Sequence, residues 1–125
     1  MMNIFTQTWY YSLWSRLTAT LLLLILFPLS LKVALMPLDH YVFHITFMDK
    51  LMHFAVFLGF AVLMDIVLVN KNYWLWIGSP LIAYGALIEI LQSFTPYRSF
   101  SFLDWLADGL GVFALWWIVK HYKTL

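Results

Sequence analysis

Three separated stretches of this sequence hold four of its six acidic residues. Asp49, Lys50 and His53 lie together, Glu89 and Gln92 follow, Arg98 stands alone, and Asp104 and Asp108 come next. A histidine among carboxylates can act as a general base or help hold a divalent cation, whereas carboxylates beside Lys50 and Arg98 can form ion pairs or grip a polar headgroup. There is no defensible Ser-His-Asp order and no Gly-rich, phosphate-cradling loop. Cysteine is absent. Disulfides and thiolate chemistry are therefore excluded, and only His and carboxylate remain as strong metal ligands. His53 is the single histidine among the carboxylates, too few nitrogen donors for a typical zinc hydrolase, so the expectation is no metal and no cofactor.

The elements that must position these residues follow from composition. Of 125 residues, 64% are hydrophobic and only 10% charged, which makes lipid the solvent. A net charge of +1 with no basic patch argues against a nucleic-acid partner. Four apolar stretches approach the roughly 20 helical residues that cross a hydrocarbon core: about 17–36, 51–69, 73–92 and 102–119. Lipid cannot satisfy an open backbone, so all four must be helices. The expected fold is an all-α, polytopic four-transmembrane-helix bundle forming one domain over residues 1–125. Arg16 precedes the first run as in a secretory signal, but no A-x-A-like cleavage site follows, and the run reads as the first span. Pro28 should kink or redirect it.

Only Asn70, Lys71 and Asn72 join the second and third spans, which must then form an antiparallel hairpin. Arg16, Lys71, Lys120 and Lys123 fall on one side, together with six of the seven tryptophans, and Lys32, Lys50 and Arg98 on the other. The basic-rich side is taken as cytoplasmic, with both termini inside a bacterial inner membrane. Asp65 and Lys71 read as a pair on that inner surface.

With this topology, Asp49, His53, Glu89, Asp104 and Asp108 converge from three helices on the outer third of the bilayer. Asp49 and His53 are four apart, as are Asp104 and Asp108, so each pair shares a helix face. Gly85, Glu89, Gln92 and Pro96 follow one stripe. A carboxylate at helix-centre depth costs about 2.5–3.5 kcal/mol, so Glu89 and Asp108 should face protein or a wet cavity rather than lipid. Asp49 and Asp104 can cap first turns, Lys32 and Lys50 can snorkel, and Gln92 can bond across helices. Glu89 is distant from a cytoplasmic helix start and has no capping role, which leaves a functional or ion-pair role, with Arg98 as partner. Ala55/Gly59 and Ala107/Gly111 are small pairs, and with Gly85 they should let helix backbones approach.

The blocks D-K-L-M-H-F (Asp49 to Phe54), G-A-L-I-E-I-L-Q (Gly85 to Gln92), Pro96 followed by Arg98, and D-W-L-A-D-G-L-G (Asp104 to Gly111) resemble the VanZ-like family. The resemblance assigns the family pattern to Asp49, Lys50, His53, Glu89, Gln92, Arg98, Asp104, Asp108 and Gly111. Asn is common in that pattern where this chain has Asp108, which adds a negative charge here. The resemblance implies a small multi-spanning bacterial membrane protein, and the family's name-giving member is linked to resistance to the glycopeptide teicoplanin.

The leading expectation is binding or modulation of a lipid-linked envelope component or lipoglycopeptide at the outer leaflet, with the bilayer itself as the other partner. A membrane-embedded enzyme with His53 as base, a structural or interaction role for the polar cluster, and a transporter built as a homo-oligomer are the competing readings.

Overall fold

The computed structural model describes residues 10–36, 46–68, 72–96 and 100–123. Helix α1 spans Leu13–Leu35, α2 Thr46–Val67, α3 Ser79–Ser93 and α4 Phe102–Lys123. A π-turn, Trp74–Gly78, runs directly into α3. Among the described residues four helical segments, Leu13–Leu35, Phe47–Val67, Trp74–Ser93 and Phe102–His121, are long and apolar enough to cross a membrane.

Each feature at a helix end or irregularity has a local cause. Ser12 caps α1, its side chain accepting from the Ser15 amide at 3.2 Å. The helix continues through Pro28 without interruption. The π-turn precedes Pro80, which has no amide hydrogen to return to the carbonyl four residues back. Ser79 instead donates to the Trp74 carbonyl, five residues back, and the wider turn lays the Trp74 indole over Gly78.

The bundle is centred on α2. Its buried Phe57, Phe60 and Ala61 pack with Ile77, Leu81 and Ile88 of the third span and Val112 and Leu115 of α4. Phe27 of α1 stacks on Phe60, ring centroids 4.5 Å apart. The tightest approach is between α2 and α4 at Gly111, where a Cβ would stand 2.5 Å from the Phe54 carbonyl oxygen and 2.9 Å from the Leu58 amide nitrogen. Ala107, one turn earlier, is buried at the same seam.

Two expectations are corrected. Ala55 and Gly59 face outward, and a Cβ at Gly59 would meet nothing within 4 Å, so this pair makes no helix contact among the described residues. Asp65 is buried rather than at the surface, and accepts from the hydroxyls of Tyr10 at 3.2 Å and Tyr11 at 3.1 Å. Lys71 lies outside the described residues. Burial first, and the Asp65 carboxylate second, push both phenols above the ordinary tyrosine range.

Large apolar side chains such as Leu21, Leu24, Ile25, Phe47, Leu103 and Leu110 point outward, while Asp65, Glu89, Gln92, Asp104 and Asp108 are buried. This inversion of the soluble pattern is the one lipid demands. The chain is a multi-pass membrane protein.

Candidate functional site

The start of α2, the end of α3 and the start of α4 meet at one end of the bundle, and the ionisable residues meet there with them. Ser101 caps α4, its hydroxyl accepting from the Asp104 amide at 3.3 Å. With the cap filled by serine, the Asp104 carboxylate is left to turn sideways toward α2. It accepts from Lys50 Nζ at 3.0 Å through Oδ1, and its Oδ2 lies 3.7 Å from His53 Nε2. The same nitrogen is 4.0 Å from Asp49 Oδ1, one helical turn earlier on α2.

One turn deeper, His53 Nδ1 donates to Asp108 Oδ1 at 2.8 Å. With the carboxylate as acceptor, the neutral imidazole keeps its lone pair on Nε2, on the side of Asp49 and Asp104. His53 therefore stands between two acidic groups. Asp108 reaches this depth because α3 carries glycine opposite it: a Cβ at Gly85 would lie 2.8 Å from Asp108 Oδ2. The Trp105 indole N–H donates to the Ile82 carbonyl at 3.0 Å and fastens α4 to α3 beside this contact.

Glu89 is fully buried, and its Oε2 accepts from the Ser101 amide at 3.0 Å. It thus does engage a helix start, that of α4, contrary to the expectation that no capping role was open to it. The reason is tertiary: the connection after α3 brings Ser101 back over its last turns. Glu89 Oε1 and Asp108 Oδ2 have no hydrogen-bond partner among the described residues. The expected partner of Glu89, Arg98, lies outside the described residues. Gln92 bonds across helices as expected, its side-chain amide donating to the Ala34 carbonyl of α1 at 2.9 Å.

A cavity of about 140 Å³ opens beside this cluster, between α1, α2 and α3. Val33, Met52, Val56, Phe57 and Ile88 give it apolar walls, and Asp49, His53 and Gln92 supply a polar end. Sequence reasoning missed the part α1 takes. Ser30 also lines the cavity, and its hydroxyl pairs with that of Tyr84 at 2.9 Å, while Tyr84 donates to the Phe27 carbonyl at 2.9 Å. A tyrosine mid-span on α3 and a serine near Pro28 were the available signals, since neither hydroxyl is left unpaired in lipid without cost.

Fold and site together define a class: a four-span membrane protein with a His/carboxylate/Lys cluster buried at one end of the bundle. Within that class the chain belongs to the VanZ/LLP1 family, whose sequence model matches residues 2–123. No curated protein and no solved structure matches it.

Proposed function

We propose that this protein binds an amphiphile from the outer leaflet, a lipid-linked envelope component or a lipoglycopeptide, with its acyl part in the cavity and its polar head at the Asp49/His53/Gln92 end. The observation that carries this reading is the cavity itself, walled mainly by apolar side chains of α1, α2 and α3, with Ser30 on α1 and the Asp49/His53/Gln92 end as its polar lining. Small-molecule sites of this kind pair apolar walls with a few convergent polar groups. The described cluster offers more acceptors than donors, four carboxylates against Lys50 and His53. Such a set suits a head rich in hydroxyl and amine donors, as in a sugar or amino sugar. The basic-residue bias of the flanks supports reading this end of the bundle as the outer one, in a bacterial inner membrane.

Teicoplanin, which carries an acyl chain, and vancomycin, which does not, separate the two halves of the reading. Nanodiscs containing the protein should bind teicoplanin above protein-free discs and show no such gain for vancomycin. Val56→Trp, which fills the cavity, should weaken teicoplanin binding by ~tenfold or more. Equal binding to loaded and protein-free discs contradicts the lipoglycopeptide form of the proposal.

One observation favours a second reading, an enzyme. His53 lines the cavity, and its Nδ1 is held by buried Asp108, an arrangement that leaves Nε2 to take a proton from a hydroxyl or water. Turnover of an envelope lipid by the wild type and none by His53→Gln would establish it. An unchanged lipid in both removes it.

A further inference from the structure

We infer that His53, Glu89 and Asp108 form a binding site for one divalent cation of the manganese type, adjoining the cavity through the shared His53. Glu89 and Asp108 are both fully buried. Each has one oxygen engaged, Glu89 Oε2 by the Ser101 amide and Asp108 Oδ1 by His53 Nδ1. Each has its other oxygen without a hydrogen-bond partner among the described residues. Two buried carboxylate oxygens with no hydrogen-bond partner among the described residues are costly in a membrane, and a bound cation would relieve that cost.

The geometry can take a cation. One donor atom from each of the three side chains lies within 4.8 Å of the other two, and on binding His53 Nδ1 would release the proton it shares with Asp108 and turn its lone pair to the metal. Metal–ligand bonds of about 2.0–2.2 Å give ligand-to-ligand edges of about 3–3.4 Å, which small side-chain rotations reach from this spread. The three donors come from three helices, so the cation would close the bundle end at the point where α2, α3 and α4 meet. Gly85 is part of the same design, because any side chain there would push Asp108 Oδ2 away from α3. Lys50 is committed to Asp104. A second trio, Asp49, His53 and Asp104, has the same spread. Its carboxylates have no orphaned buried oxygen among the described residues, and Lys50 already neutralises Asp104. Two carboxylates with one imidazole make a mainly hard donor set, which suits manganese better than a thiophilic metal.

The full chain in nanodiscs, stripped with chelator and dialysed, tests the site by Mn²⁺ titration monitored by electron paramagnetic resonance. The expected result is one saturable equivalent per chain, with a nitrogen coupling from the imidazole in the pulsed spectrum. Glu89→Gln and Asp108→Asn should each weaken binding by ~tenfold or more, and Asp49→Asn should leave it within ~threefold. The wild-type stoichiometry and nitrogen coupling decide the matter even if a variant fails to fold. No saturable binding by the wild type, or binding without nitrogen coupling, overturns the proposal.

Discussion

Asp108 on α4 holds the imidazole of His53 on α2 at 2.8 Å, and the pair bridges the two helices that share the largest contact in the bundle. Asp108 is fully buried, so the bond is both a fastening between helices and the feature that sets which imidazole nitrogen carries the proton.

Removing one partner of this pair should cost more than removing both. His53→Leu leaves Asp108 buried without its donor and should destabilise the protein by about 3–5 kcal/mol. His53→Leu combined with Asp108→Leu should recover a large part of that loss. Unfolding of the single and double variants in detergent gives the cycle, and simple additivity would show that the two side chains do not act as a unit.

Glycine matters at one of two positions that look alike in sequence. Gly111→Ala places a methyl against the Phe54 carbonyl and Leu58 amide and should destabilise by about 1–3 kcal/mol. Gly59→Ala meets open space and should change stability by less than about 0.5 kcal/mol. Thermal unfolding of the two variants side by side checks the contrast.

The opposite end of the bundle should show its own pH dependence. The Tyr10 and Tyr11 phenols are raised above their ordinary value of 10.0, by burial first and Asp65 second. The folded state therefore retains protons that the unfolded chain releases, and stability falls as pH rises above about 10. Spectroscopic titration of tyrosinate should find Tyr10 and Tyr11 titrating late, together with Tyr73, whose phenol is raised by the same two causes in the same order. Asp65→Asn should move them part of the way back, since burial remains.

Orientation is tested by fusions at Leu125. A reporter active only in the cytoplasm should work there, and one active only outside should not. The reverse pattern would place the His53 cluster at the inner leaflet.

Sequence made the four spans and the depth of the polar cluster legible because charge is rare in lipid and must be buried when present. Glu89 and Asp108 could thus be placed inside the bundle from residue type and depth alone. Apolar residues gave no such guide. Lipid-facing and core-facing positions are equally hydrophobic in a membrane, so nothing in sequence separated the outward Ala55/Gly59 pair from the contacting Ala107/Gly111 pair. Asp65 was misplaced because its partners, Tyr10 and Tyr11, are more than fifty residues away and phenols carry no charge pattern. Bonds to main-chain carbonyls were equally hidden. Gln92 to Ala34 and Tyr84 to Phe27 depend on how α1 lies against α3, which no spacing within one helix encodes. The π-turn likewise needs Pro80 and the room over Gly78 together.

The most direct test of amphiphile binding is to extract the wild type and Val56→Trp from the producing bacterium's membrane in mild detergent and weigh each intact by mass spectrometry. A discrete lipid-linked species, one per chain, on the wild type and absent from the variant is the predicted result. The same unselective scatter of bulk phospholipid on both proteins would contradict it.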